Sequence, residues 1–129
     1  MAKIMDASAV INAYSLEEKE EMYTSPSVIN ELKNLASKLL AESAITEGKL
    51  KIVNPKDKHI ERVKEKAREV GSDKHLSETD IDIIALALEK KGKLLTDDYT
   101  MQNLSAHLGI KYEGITRGEI KNKRKFKKN

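Results

Sequence analysis

Leu94-Leu95-Thr96-Asp97-Asp98-Tyr99-Thr100-Met101-Gln102-Asn103 is the stretch on which the reading of this chain turns. Lys93 to Leu95 forms a short apolar run. It breaks at a hydroxyl and two adjacent carboxylates, then resumes with Met101, Leu104 and Leu108 on one helical stripe. A strand that ends in acids before a helix places those acids at the carboxyl edge of a sheet. In open α/β sheets that edge is where ligands bind. One Asp at such a junction is most simply a helix cap. Two neighbouring carboxylates repel each other, and holding them together costs energy unless something positive arrives. The question is whether other segments send acids to the same edge.

Several do. Lys3-Ile4-Met5 reads as a buried strand ending at Asp6, and Ala7-Ser8-Ala9-Val10-Ile11 opens a helix, giving a second strand–Asp–helix junction. Tyr14 to Met22 is a polar, acidic connection without evident chemistry. After a brief strand at Tyr23-Thr24, Ser25 as N-cap and Pro26 at the first helical position start a helix. The recurrence of Val28, Ile29, Leu32, Leu35, Ala36, Leu39 and Leu40 predicts that it runs unbroken to just before Gly48. Glu31 falls beside that apolar stripe, one turn in.

Leu50-Lys51-Ile52-Val53 is a strand stopped by Asn54-Pro55. Lys56 to Val70 is an outer helix with a narrow stripe (Ile60, Val63, Ala67, Val70) and a solvated charged face, on which His59 sits idle. Ser77 and Asp80 have capping-box spacing. They begin the most apolar helix, Glu78 to Lys91, which belongs at the centre and carries Asp80 and Asp82 in its first turn. Gly92 ends it. Gly109 stops the helix Tyr99 to Leu108, and Ile110-Lys111-Tyr112 is the last strand. Strands alternate with helices throughout, so the fold class is α/β: a three-layer α/β/α domain with a mainly parallel central sheet. Right-handed crossovers then bring Asp6 and Asp97/Asp98 to one edge.

The chain has 129 residues, enough for one domain, here residues 1–113 with a tail at 114–129. It contains no Cys, which excludes disulfides, thiol catalysis and a zinc ribbon within it. Ile83 to Leu88, the longest strongly apolar run, cannot cross a bilayer, and the start lacks a signal-peptide core. A cytoplasmic location without membrane contact is the expectation. The net charge of +3 hides a division. Residues 117–129 hold seven bases (Arg117, Lys121, Lys123, Arg124, Lys125, Lys127, Lys128) and one acid, while the rest holds 17 bases and 20 acids. An acidic body with a basic tail fits nucleic acid as partner, with those seven side chains as candidate RNA-binding residues.

Asp6, Glu31, Asp80 and Asp97/Asp98 together describe an acidic pocket at one sheet edge. A ring of carboxylates selects hard cations, Mg²⁺ or Mn²⁺, and such a site hydrolyses phosphodiesters without a protein nucleophile. Four motifs carry a resemblance. Ile4-Met5-Asp6-Ala7-Ser8, Thr24-Ser25-Pro26-Ser27-Val28-Ile29-Asn30-Glu31-Leu32, Leu76-Ser77-Glu78-Thr79-Asp80 followed by Ile83, Ala85 and Ala87, and Leu95-Thr96-Asp97-Asp98 resemble, in order, the motifs of PIN-domain ribonucleases. Within that superfamily, Thr96-Asp97-Asp98-Tyr99 with Gln102-Asn103 and Gly109-Ile110 is most similar to the archaeal Nob-type endonucleases. The basic tail from Ile120 resembles the segment leading to that family's zinc ribbon.

The resemblance implies a metal-dependent endoribonuclease of ribosome biogenesis. It would cut single-stranded RNA and mature the 3′ end of small-subunit (16S) rRNA in the pre-ribosome. It also implies Asp6, Glu31, Asp80 and Asp98 as catalytic acids and metal ligands, with Asp97 as a further candidate ligand. The family's Thr-x-Asp points to Asp98, whereas the strand-end argument suits Asp97 equally. Ser8 and Thr96 are expected as supporting hydroxyls, and Asp82 as peripheral. Without a ribbon, RNA docking would lean on the tail or on another protein. PIN domains often pair, so a homodimer is an expectation of the resemblance alone. Two other readings compete: a VapC-like toxin ribonuclease, and a non-catalytic RNA-binding assembly module in a PIN-like shell.

Overall fold

The computed structural model describes residues 1–11 and 21–115; most of the acidic connection expected after Ile11 lies outside them. Five strands form one sheet: β1 (Lys3–Met5), β2 (Met22–Thr24), β3 (Leu50–Ile52), β4 (Lys93–Leu95) and β5 (Tyr112–Glu113). Their order is β3-β2-β1-β4-β5, and every pairing is parallel. The helices are α1 (Ala7–Ile11), α2 (Pro26–Glu31), α3 (Leu35–Thr46), α4 (Asp57–Val70), α5 (Glu78–Lys90) and α6 (Tyr99–His107). α1 packs with α3, and α4 packs with α5 and α6, giving the three-layer α/β/α arrangement. Parallel strands covered on both faces must be apolar throughout, and Ile4, Met5, Leu94 and Leu95 are all buried. No helix of the described residues is long and apolar enough to cross a membrane.

The strand order positions the site. The chain steps outward from β1 through β2 to β3, then returns to lay β4 on the other side of β1. Crossovers part at that junction, leaving a crevice outside the carboxyl ends of β1 and β4. Met5 is in register with Leu95, so the next residues, Asp6 and Thr96, emerge side by side.

α5 is central, as its composition predicts. Ile81, Ile83, Ile84, Ala85, Leu86 and Ala87 are all buried, and the helix touches both β1 and β4. Each fully buried Ile contributes about 1.5–3 kcal/mol relative to exposure.

The unbroken helix expected from Pro26 to Gly48 is instead two helices. Leu32 leaves helical geometry at φ −71°, ψ 111°. Asn34 then caps α3, its side chain accepting from Ala36 N at 2.7 Å and Ser37 N at 3.3 Å. Asn is among the strongest N-caps, and here it outweighs the continuing apolar period. The break also changes which positions are inside. Leu32 is buried, but Leu35 is 70% exposed, and Ala41 and Ala44 pack in its place.

The last strand is shifted as well. Ile110 is buried in the turn after α6, its N–H donating to Ser105 O, so pairing with β4 begins only beyond it. At the end of α5, Lys91 rather than Gly92 takes the left-handed position, at φ 54°. Gly92 serves a different need. A Cβ there would stand 2.6 Å from the carbonyl oxygen of Ala2, which accepts a hydrogen bond from Lys93 N where β4 begins. Gly92→Ala therefore forces backbone apart at the β1–β4 junction. It is expected to cost about 1–3 kcal/mol in urea unfolding; a midpoint unchanged from the parent would show that the close approach is soft.

Candidate active site

Asp6 follows β1 directly. Its N–H donates to Leu95 O, and its carbonyl accepts from Ala9 and Val10, which starts α1. Its carboxylate accepts from the Thr96 hydroxyl at 2.7 Å. Thr96 is fully buried and held from both sides. Its Oγ1 accepts from Asp98 N at 3.2 Å, and its carbonyl accepts from Gln102 Nε2 at 2.8 Å. Asp98 caps α6, Oδ1 accepting from Met101 N at 3.1 Å.

Two more acids come from two other crossovers, Glu31 from that between β2 and β3 and Asp80 from that between β3 and β4. Asp80 forms the expected capping box with Ser77: Oδ2 accepts from Ser77 N at 3.0 Å, and Asp80 N donates to Ser77 Oγ at 3.1 Å. Glu31 is the last residue of α2, and α2 touches both α1 and α5. A two-point clasp fixes it there. The Thr79 hydroxyl of α5 donates to Glu31 Oε1 at 2.8 Å, and the Ser27 hydroxyl of α2 donates to Asp82 Oδ2 at 2.9 Å. Asp82 thus ties α2 to α5.

Asp6 and Asp80 are half-buried, while Glu31 and Asp98 lie exposed at the rim. Burial pushes the Asp6 carboxyl above its ordinary value. The Thr96 hydroxyl and the Ala7 N–H pull it back, and the charges of Asp80 and Asp98 push it up again. Burial likewise raises Asp80, against its bonds to Ser77, with Asp98 and Glu31 adding to the rise. Acids from four segments therefore share one field, and the charged neighbours acting on Asp6 and Asp80 are other acids. Asp97, between Thr96 and Asp98, accepts through Oδ1 from Ile115 N at 2.8 Å, beyond β5.

Every donor in this group is a carboxylate oxygen, and the two half-buried ones, Asp6 and Asp80, face like charge, which is the chemistry that suits a hard divalent cation. Each acid also keeps an oxygen engaged with the protein. Among the described residues no three His, Cys, Asp or Glu side chains have closed to ion-clasping distance.

Ser8 lies half-buried on α1. Arg117, Lys121, Lys123, Arg124, Lys125, Lys127 and Lys128 lie outside the described residues. Sequence reasoning missed Thr79, Gln102 and the Ser27–Asp82 pair as supports. Their only local signal is a polar residue on an otherwise apolar helical face.

A family model described as the PIN domain of ribonuclease matches residues 4–89, a span that holds Asp6, Glu31 and Asp80. The chain belongs to the PIN-domain ribonuclease family. Its enzymatic class is accordingly endoribonuclease. It is 37% identical over 115 residues to Endoribonuclease Nob1 of Pyrococcus abyssi, covering 89% of this chain and 69% of that one. It is 32% identical over 114 residues to Ribonuclease VapC3 of Aeropyrum pernix (84% and 82%). Over 104 residues it is 31% identical to the 20S-pre-rRNA D-site endonuclease NOB1 of Saccharomyces cerevisiae (78% and 23%). A PilT N-terminus domain protein of Sulfolobus solfataricus P2 shares the fold, with a TM-score of 0.57 at 13% identity, covering 91% of this chain and 89% of that one.

Two outcomes test this PIN-domain site. In cation-free protein, between the ordinary carboxylate pKa and the raised Asp6 value, the folded chain holds a proton that the unfolded chain has lost. Stability from this group therefore falls as pH rises through that window. Subtracting the urea-unfolding profile of Asp6→Asn from that of the parent should leave this downward slope; parallel profiles would contradict the burial of Asp6. Thr96→Val removes both hydroxyl bonds and is expected to cost about 1–3 kcal/mol, with Thr96→Ser close to the parent.

Proposed function

We propose that this PIN-domain protein is a divalent-cation-dependent endoribonuclease of single-stranded RNA. Its proposed substrate is the 3′ end of the small-subunit (16S) rRNA precursor, and its cation Mg²⁺ or Mn²⁺. The observation that carries the reading is the gathering of Asp6, Glu31, Asp80 and Asp98 in one field at the β1–β4 crevice. The choice of RNA is supported by the kinship with Nob1-named proteins, one of them named for a pre-rRNA.

Asp6, Asp80, Glu31 and Asp98 are the proposed cation ligands. When bound, the cation supplies positive charge to the scissile phosphate and a water acidic enough to attack it near neutral pH. Thr96 fixes the rotamer of Asp6 through one hydrogen bond and the start of α6 through another. Thr79 does the same for Glu31. Packing and hydrogen bonds thus orient the carboxylates before substrate arrives, as precise ligand placement requires. The seven tail bases are proposed to meet the RNA backbone, because cations bind phosphate irrespective of sequence.

A second reading is a VapC-like toxin ribonuclease. It is supported by the 32% identity over 114 residues to a protein named Ribonuclease VapC3.

Incubating the chain with precursor 16S rRNA and Mn²⁺ or Mg²⁺ tests the proposal. Cutting near the mature 3′ end is expected, with loss on chelation. Thr96→Val should lower the rate about 10–100-fold, and Asp6→Asn, Asp80→Asn and Asp98→Asn should lower it further. Calorimetric titration should find a cation site that Asp80→Asn abolishes. Chelator-resistant cutting that survives Asp6→Asn would rule the mechanism out. Growth arrest on expression, relieved by Asp6→Asn, without rRNA cutting would favour the toxin.

A further inference from the structure

α6 buries one side, with Met101, Gln102, Leu104 and Ser105 packed inward. On its other side Tyr99, Asn103 and His107 recur every four residues and are exposed, Tyr99 by 71%. This stripe begins one residue after Asp98, whose charge acts on Asp6 and Asp80. It runs about 12 Å along the helix at roughly 1.5 Å per residue. The chain is poor in aromatic residues, with four Tyr, one Phe and no Trp, yet one of these rings stands largely in water beside the catalytic acids. α2, α3, α4 and α5 each carry a carboxylate, whereas α6 has none between Tyr99 and His107.

We propose that the exposed stripe of α6 is a platform for unpaired nucleobases: Tyr99 stacks on a base flanking the scissile phosphate, and the Asn103 amide bonds the edge of the neighbouring base. The proposal rests on the nuclease reading above and gives it a physical reason to select single strands. Gathered carboxylates repel a phosphate backbone, so RNA gains from a contact there that does not depend on charge. Stacking on an aromatic ring is such a contact, and it accepts any sequence because every base has a π face. A base inside a duplex has its faces covered by its neighbours, so only an unstacked one can use the ring. Asn103 both donates and accepts, and it lies about 6 Å further along the helix. A helix free of carboxylates lets the strand leave the crevice without meeting a second repulsion. The backbone under the ring is set before RNA arrives, because Met101 N and Gln102 N both donate to Asp98 and close the first turn of α6.

The test measures binding of a labelled single-stranded RNA oligonucleotide to full-length Asp6→Asn protein by fluorescence anisotropy, which needs no cutting. Adding Tyr99→Ala is expected to weaken binding about tenfold, Tyr99→Phe to leave it unchanged, and Asn103→Ala to weaken it about threefold. Abasic nucleotides placed one at a time along the RNA should reveal one position where the missing base costs affinity with Tyr99 present and costs almost none in Tyr99→Ala. A 5-iodouridine at that position should cross-link to Tyr99 under ultraviolet light, an arm that leaves the ring unaltered. The same RNA in a duplex should bind equally with and without the ring. Absence of cation-dependent cutting would remove the nuclease reading, while these binding measurements would still decide the platform. Unaltered affinity in a Tyr99→Ala variant that melts with its parent, or the same abasic profile with and without the ring, would overturn the proposal. An equal loss of duplex and single-strand affinity in Tyr99→Ala, or a cross-link that falls outside α6, would do so too.

Discussion

The hydrogen bond from the Thr96 hydroxyl to the Asp6 carboxylate joins residues 90 positions apart in the chain, and the geometry of the crevice depends on it. It exists because β1 and β4 pair in parallel with Met5 opposite Leu95. A slip of one residue would turn every strand side chain to the other face and separate the two groups. The register is held at the far end by the approach of Gly92 to the Ala2 carbonyl. A tight packing requirement at one end of two strands thus sets the position of a carboxylate at the other.

Capping and site-building turn out to be compatible uses of one side chain. Asp80 and Asp98 each cap a helix with one oxygen, yet both contribute to the field felt by another acid. A cap bond fixes a carboxylate against the backbone, so it also removes the rotamer freedom that a ligand-binding group must lose. Helix N-termini lower the cost of the charge as well. The protein thereby gathers acids at an edge where burial and mutual repulsion oppose them.

The break between α2 and α3 serves the same end. α2 reaches over the carboxyl edge to touch α1 and α5, while α3 packs against α1 and β3. Glu31 is consequently delivered by a short helix whose orientation is fixed through Thr79 and Asp82.

Local patterns alone determined the alternation of strands and helices, the central place of α5, the Ser77–Asp80 capping box and the strand–Asp–helix junctions at Asp6 and at Asp97/Asp98. Each rests on interactions within a few residues, which periodicity and capping chemistry record directly. The helix break at Leu32 was hidden because apolar spacing continued through it, and only packing revealed that Leu35 had no core to enter. Thr79, Ser27 and Gln102 gained their roles from partners remote in the chain, for which adjacent residues carry no mark. The Asp97-Asp98 pair marks the limit most clearly. As sequence the two are equivalent; in the fold one Asp97 oxygen meets Ile115 N from beyond β5, whereas Asp98 caps α6 and its charge acts on Asp6 and Asp80.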